Sequence, residues 1–364
     1  MLHGKLAKEG YDWWWHNFTG IHRQTGKKKA FFIEYYVCNP NLGGKDAILG
    51  QLSQNQKKGI KPSYALVKAG CWGKDAKQIH NFYPISQFSC PTNRLDVNIG
   101  DCRLTETFMK GECQVFFEDA IRHPEYMCDA GSMSWDLSIH KKIAYNVGYG
   151  ASKLFRRLNA FEMFWHAEGI QTEYSGEVVL DGEIYDVIAD KSFGYADKNW
   201  GKDFTSPWLW ISSCNMKSLV TGKRLFNSAL EIGGGRPKVL GVALNRKLLG
   251  GIYYEGKMYD YNFSKIWTKA KMDFIFQEGE VFNTWKVKAS NMDSVMEVIL
   301  KCPKEEMLRI NYEAPNGKKL HNNLWNGGTG YGRIKLYKKG KNGKILIDEI
   351  AMSHVGCEYG EYDE

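Results

Sequence analysis

From Glu177 to the C-terminus the chain reads as one long succession of β-strands, and this limits the possible folds more than any other feature. Glu177-Val178-Val179-Leu180, Asp181-Gly182 and Glu183 to Ile188 form a two-residue hairpin signal of type I′, because Asp-Gly accepts the positive φ that such a turn needs. Further strands are expected at 208–214, 226–232, 238–244, 251–263, 272–278, 284–289, 294–300, 307–313, 333–338 and 345–352. Asn316-Gly317 and Asn342-Gly343 are among the turns between them.

The first half is also β-rich. Tyr11-Asp12-Trp13-Trp14-Trp15-His16, a Lys-rich turn and Ala30 to Val37 read as a hairpin loaded with aromatics. Leu42 to Lys61 is expected to be a long loop with at most a short helix. Strands follow at Tyr64 to Gly70, Asp96 to Ile99, Thr105 to Met109 and Glu112 to Phe117, the last two joined by a turn at Lys110-Gly111. Gly148 to Glu162 is the best helical candidate, with Leu154, Leu158 and Phe161 on one face. It supplies the expected boundary between an N-terminal β-rich domain, 1–160, and a C-terminal one, 161–364. Two curved sandwiches or open barrels packed side by side fit this pattern, with a ligand cleft between them.

Composition agrees with a globular β protein. Hydrophobic residues make up 43% and charged ones 25%, which excludes a disordered chain. Aromatics at 14% and 38 glycines favour strands and tight turns over helix bundles. The net charge of +8 is a mild excess, carried by turn lysines such as Lys27-Lys28-Lys29, and lacks the dense stripe of a nucleic-acid groove. Weak attraction to an anionic membrane surface stays open if the ligand is a lipid. Nine cysteines without a Cys-x-x-Cys pair, and an N-terminus without an apolar core, lead to the expectation of a reducing, cytoplasmic setting. The oligomeric state is not legible.

Most catalytic signatures fail. Gly148-Tyr149-Gly150 lacks the third glycine and the βαβ setting of a dinucleotide loop. The runs at 233–235 and 327–330 lack the Lys-Ser/Thr of a phosphate loop. No Gly-x-Ser-x-Gly, His-Glu-x-x-His or EF-hand pattern occurs, and the scattered histidines give no local metal site. Neither a metal nor a cofactor is expected.

What survives is Tyr195-Ala196-Asp197-Lys198-Asn199-Trp200-Gly201, continuing through Phe204 to Trp208-Leu209-Trp210 and Cys214-Asn215. It joins a carboxyl, an ammonium, a carboxamide and a phenol to an aromatic strand. Asp197 is the leading acid candidate, with Glu173 and His166 in reserve. An apolar surround would keep such an acid protonated near neutrality, and aromatic faces would stabilise developing positive charge. Lys198 in contact with Asp197 would hold it ionised, whereas strand alternation would put the two on opposite faces. Asn199 can hydrogen-bond a phenol or quinol oxygen, and Tyr195 can do the same or relay a proton.

The plainer readings stand beside these. Asp197-Lys198-Asn199 also suits a turn cap, and His166 also suits a satisfied interior histidine. Trp200, Trp208 and Trp210 suit a cavity wall, the last two sharing a strand face. Trp13-Trp14-Trp15 must straddle both faces of a strand, which makes Trp14 and the neighbouring His16 further ligand-contact candidates.

The block from Glu173 through Gly182, Asn199-Trp200-Gly201, Trp208-Leu209-Trp210 and Cys214-Asn215 resembles the tocopherol cyclase family. Fainter likeness extends to Trp13–Asn39 and Gly328–Gly332. Asp197 stands where that family usually has Glu, Ser213 is an extra residue before the Cys-Asn pair, and no plastid transit peptide is evident. The resemblance implies a lipocalin-like two-domain β fold and a cofactor-independent cyclisation that adds a phenol oxygen across a C=C bond. The expected ligand is a hydrophobic aromatic or prenylated small molecule. A non-enzymatic carrier of such a ligand, and a hydratase or lyase acting on a related alkene, are the alternatives.

Overall fold

The computed structural model describes residues 6–147, 157–158, 161–236, 238–239, 242–243, 245, 247–318 and 320–361. Its labelled strands, in chain order, begin with β1 (Tyr11–His22), β2 (Lys28–Cys38), β3 (Tyr64–Trp72), β4 (Lys77–Tyr83), β5 (Gly131–Tyr145) and β6 (Met163–Leu180). They continue with β7 (Gly194–Gly201), β8 (Trp208–Ser213), β9 (Ser228–Gly235), β10 (Leu308–Glu313), β11 (Leu320–Gly340) and β12 (Gly343–Gly360). The fold is mainly β, with two barrel-like antiparallel sheets of the lipocalin-like kind.

The first sheet runs β4-β3-β2-β1, then 183–187, β6, β5, 108–115, 102–105, 96–99 and 88–89, while β7 pairs with both β1 and β6. It curls until β4 meets 108–115, where the Asn81 carboxamide donates to Gln114 O and accepts from Gln114 N–H, each at 2.9 Å. The second sheet runs 257–260, 247–254, β9, β8, β12, β11, 294–303, 282–290 and 271–277, with β10 paired to β11. The crossing between sheets falls at 202–207, after β7. The expected boundary at residue 160 does not coincide with it, because β6 and β7 complete the backbone pairing of β5 and β1. The expected helix over 148–162 lies largely outside the described residues.

Local expectations fare according to their chemistry. The Asp181-Gly182 turn has φ of 49° and 86° and closes a Leu180–Glu183 pair, as a type I′ hairpin requires. Lys110-Gly111 is no turn. Strand 108–115 runs straight through it, since Gly111 lies under the Trp135 ring, where a β-carbon would come within 2.7 Å of that ring.

Side chains gather in three layers. Trp14, Phe18, Phe31, Ile33 and Trp135 belong to the core inside the first sheet, and Leu209, Ile211, Trp285 and Val298 to that inside the second. Between the sheets lies a third, aromatic layer that includes Trp13, Trp15, Trp72, Trp165, Tyr195 and Trp208. Alternation along β1 explains this: Tyr11, Trp13 and Trp15 face the middle layer, and Trp14 and Phe18 the first core. The strand is therefore buried on both faces.

The middle layer is tightly fitted around Trp72. A β-carbon at Gly328 would stand 2.1 Å from the Trp72 ring, whose indole N–H donates to Asn326 Oδ1 at 2.7 Å. Gly328→Ala is expected to lower unfolding stability by about 1–3 kcal/mol through overpacking, read in a denaturant titration. An unchanged midpoint would show that Trp72 shifts freely.

Candidate active site

Three strands side by side build the site. β7 carries Tyr195, Asp197 and Asn199 on the face toward the middle layer, flanked by Trp15 of β1 and Trp165 of β6. The Trp165 N–H donates to Asp197 Oδ2 at 2.8 Å, and the Tyr195 hydroxyl stands 3.0 Å from the same oxygen. Asp197 Oδ1 is buried and has no hydrogen-bond partner among the described residues. Burial pushes the Asp197 carboxyl well above the usual range, the Trp165 and Tyr195 donors pull it back, and the carboxyls of Glu358 and Glu168 push it up again. Its neutral form is therefore favoured over that of an ordinary carboxyl, and Oδ1 is the oxygen that no donor occupies among the described residues.

The second sheet closes the site. Tyr195 OH also lies 3.0 Å from Glu231 Oε1, which accepts the Trp210 N–H at 3.0 Å. Glu231 is fully buried, and burial and then Asp197 push its carboxyl well above the usual range. Tyr195 has one hydroxyl hydrogen for two carboxyl oxygens. Both contacts are hydrogen bonds only if one of the two acids donates to the phenol, which makes Glu231–Tyr195–Asp197 a path for one proton.

Nearby, Glu358 Oε2 accepts the Trp208 N–H at 2.7 Å, and Asn326 Nδ2 donates to Oε1. Burial pushes Glu358 up to about 7 against these two donors. Between Trp165 and Trp208, whose rings meet edge-on at 6.2 Å, opens an apolar cleft lined also by Met163, Phe161 and Leu249.

A polar row extends from Asp197 across the first sheet. Asp197 stands opposite Trp15, Trp15 opposite Glu34, Glu34 opposite Lys68 and Lys68 opposite His80. Lys68 Nζ is 3.2 Å from Glu34 Oε2 and 4.6 Å from the centre of the Tyr312 ring. Tyr312 OH donates to Glu34 Oε2 at 3.4 Å. Burial raises Glu34, opposed by Lys68.

The structure thus brings together Asp197, Tyr195, Asn199, Trp208 and Trp210, and separates the remaining candidates. Lys198 faces away from Asp197: its Nζ is 2.6 Å from Asp12 Oδ1 and 4.1 Å over Trp14, with Trp200 at 5.5 Å. Trp14 and Trp200 therefore pack around that ion pair, not around a ligand in the middle layer. His16 lies on the Trp14 side, where Nδ1 meets Tyr174 OH at 2.8 Å. Tyr174 OH itself donates to Tyr195 O at 2.8 Å, so the imidazole supplies the N–H. Burial pushes His16 down to about 3, so it stays neutral and structural.

His166 stands opposite Lys198 and next to Trp165 on β6, hence on the face away from Asp197. Glu173 is no interior acid. It pairs with Lys142 at 2.8 Å and lies 3.5 Å from His140, and although burial alone would raise its carboxyl, the Lys142 ammonium and the His140 contact hold it below the usual range. Sequence reading missed Trp165, Glu231, Glu358, Glu34 and Lys68. The available signal was a single charge inside an apolar run, as in Phe31-Phe32-Ile33-Glu34-Tyr35-Tyr36 and Leu66-Val67-Lys68-Ala69.

With this geometry in place, the comparisons fit. The family signature of the tocopherol cyclase-like proteins matches residues 32–361, and the chain belongs to that family. A probable chloroplastic tocopherol cyclase of Oryza sativa subsp. japonica is 32% identical over 142 residues, which is 38% of this chain and 27% of the rice protein. The match therefore spans little more than a quarter of that relative. Kievitone hydratase from Nectria haematococca superposes with a TM-score of 0.50 at 10% identity, covering 100% of this chain and 93% of its own. CghA, solved with Sch210972, gives 0.50 at 9% identity, covering 98% and 90%. At such identities these two structures show a shared fold. Among the described residues no helix is long and apolar enough to cross a membrane, and all nine cysteines are free thiols.

Two outcomes are expected here. Lys198→Met removes one partner of an ion pair remote from the acid, so stability falls by about 1–3 kcal/mol while turnover stays within about twofold. A large loss of turnover with intact folding would tie Lys198 to the chemistry. The second concerns pH. Below 4.5 the Glu358 carboxyl is protonated folded and unfolded; between 4.5 and about 7 only the unfolded chain ionises. Its contribution to stability is therefore lost as pH rises through that window, by on the order of 3 kcal/mol. Glu358→Gln is expected to be less stable throughout, since one amide oxygen cannot serve both donors, and to show a flatter pH slope from 4.5 to 7.

Proposed function

We propose that this protein closes an oxygen heterocycle by adding a hydroxyl oxygen of a hydrophobic phenolic substrate across its own C=C bond. One observation carries the reading: a buried carboxyl, Asp197, raised well above its usual range, keeps one oxygen without a hydrogen-bond partner among the described residues, beside the aromatic layer between the sheets.

In this mechanism Asp197 Oδ1–H protonates the alkene carbon, leaving a carboxylate and a cationic carbon. The indole of Trp15, opposite Asp197, and that of Trp165, bonded to it, offer π faces to the developing charge. The substrate hydroxyl oxygen then bonds to the cationic carbon and releases its proton, which returns to Asp197 directly or through Tyr195. Substrate and product are isomers, and no electron leaves either, so the reaction calls for no cofactor. A positioned acid contributes roughly 10²–10⁴-fold to such a step. The dry surroundings keep water from capturing the cation. The apolar cleft beside Trp165 and Trp208 suits the aliphatic part of a prenylated substrate.

The test is incubation with a prenylated hydroquinone in D₂O, followed by mass spectrometry and NMR. The expected product is cyclic and carries one deuterium at the former alkene carbon on a single face. A product gaining the mass of water would mean that water captures the cation, as in a hydratase. Tight binding without turnover across prenylated phenols would identify a carrier. Asp197→Asn is expected to lower turnover by about 10²–10⁴-fold with ligand affinity and melting temperature close to wild type. Tyr195→Phe should cost less, since it breaks the return path and leaves the acid.

A further inference from the structure

Among the interior polar groups that this mechanism does not use are Glu34 and Lys68, at the far end of the row that starts at Asp197. Both are buried to within 1% of complete, and each sits mid-strand among apolar neighbours. Three strand spacings separate Asp197 from Lys68, about 14 Å at about 4.8 Å per strand, with the Trp15 indole between.

Their pairing is incomplete. Lys68 Nζ is 3.2 Å from Glu34 Oε2, yet no N–H of the ammonium is aligned on an acceptor among the described residues. Glu34 Oε1 also has no hydrogen-bond partner there. A buried ammonium with unaligned donors and a carboxyl with an unused oxygen are expensive to keep in an apolar layer. Fold stability gives no reason for them, because two apolar side chains of similar size would fill β2 and β3 at lower cost. The two groups together offer one donor and one acceptor a few ångströms apart. A hydroxyl is the functional group that answers both, accepting from the ammonium and donating to the carboxyl. Tyr312, stacked on Trp13 at 4.7 Å, lies under Lys68 and donates to Glu34 Oε2 at 3.4 Å, which fixes the pair in place.

We propose that Lys68 and Glu34 bind a second hydroxyl of the substrate, phenolic or enolic, on the side of the molecule away from the reacting alkene. The inference rests on the cyclisation reading for which end reacts, and it adds the polar anchor that sets the orientation. The ligand class is then an elongated aromatic with an alkene at the Asp197 end, a flat body along Trp15 and a hydroxyl at the Lys68 end. Held at both ends, such a molecule presents its alkene to Asp197 Oδ1 in one register.

The experiment compares the binding of a prenylated hydroquinone with that of the monomethyl ether in which the oxygen remote from the alkene is capped, read by tryptophan fluorescence or calorimetry. Wild type is expected to bind the free hydroxyl about 10- to 100-fold more tightly, the range of a charge-assisted hydrogen bond. Lys68→Met should bring the ratio to within about threefold. Because that variant leaves a lone buried carboxyl and can fail to fold, the Lys68→Met/Glu34→Gln double variant, which removes both charges, is measured alongside it. Asp197→Asn should keep the wild-type ratio. A ratio near one in wild type, or a wild-type ratio in the folded double variant, overturns the anchor. Absence of turnover with every ligand, together with a ratio that collapses in the double variant, overturns the cyclisation reading and leaves the anchor standing.

Discussion

Burial of β1 and β7 on both faces is the constraint on which the rest of the structure depends. A strand covered on one side only leaves alternate side chains in water, where a carboxyl ionises. Here the first core lies behind these strands and the second sheet in front. Any ionisable group on them must therefore pair, as Lys198 does with Asp12, or be pushed toward its neutral form, as Asp197 is. The same strand alternation separates Asp197 from Lys198. A one-residue slip of β7 would exchange their faces, placing an ion pair in the chamber and the acid against Trp14. The seven consecutive pairs between β1 and β7 fix that register.

Indole N–H groups are the characteristic partners of the interior acids: Trp165 for Asp197, Trp210 for Glu231, and Trp208 for Glu358. An indole N–H donates and can neither accept a hydrogen bond nor take up a proton. It holds one carboxyl oxygen in place without neutralising the acid, and in Asp197 and Glu231 the other oxygen has no hydrogen-bond partner among the described residues. Among the groups bonded to Asp197, only Tyr195 can pass a proton on. The group that holds the Asp197 oxygen in place and the group able to exchange a proton with it are therefore different side chains, and the first belongs to the aromatic wall.

How far the sequence could be read follows from what each signal depends on. Local backbone chemistry carried the type I′ hairpin at Asp181-Gly182 and most strands of the second half, because turn geometry and alternation need no partner, but the run expected as one strand over 251–263 is a hairpin of 247–254 and 257–260 turned at Glu255-Gly256. Lys110-Gly111 misled because its glycine answers to the Trp135 ring, a contact between neighbouring strands and not a local one. The changeover between sheets was illegible for a similar reason. Nothing in β6 or β7 marks them as completing a sheet begun at Tyr11. Within the site, Asp197, Tyr195, Trp208 and Trp210 lie close in sequence and could be found together. Glu34, Lys68, Glu231 and Glu358 come from strands scattered along the chain, and only the lone charge in an apolar run marked them. Trp14, His16 and Trp200 were drawn in by proximity in sequence, which on a strand is as much a reason for separation.

The two sheets contribute unequally, and this bears on why the fold is double. The first sheet holds the acid, its aligning indole, its phenol and the Glu34–Lys68 pair. The second supplies Glu231 and Glu358 and the apolar wall over them. With the second sheet absent, the middle layer would be the outer surface of a barrel. Asp197 would then be hydrated and ionised near its ordinary range, with Trp13, Trp15 and Trp165 open to water. Docking the second sheet makes that surface an interior. It raises the acid through dehydration and adds further carboxyl groups whose charge opposes ionisation of Asp197. The raised carboxyl of Asp197 is thus a property of the contact between the sheets, although every atom of that residue belongs to one of them.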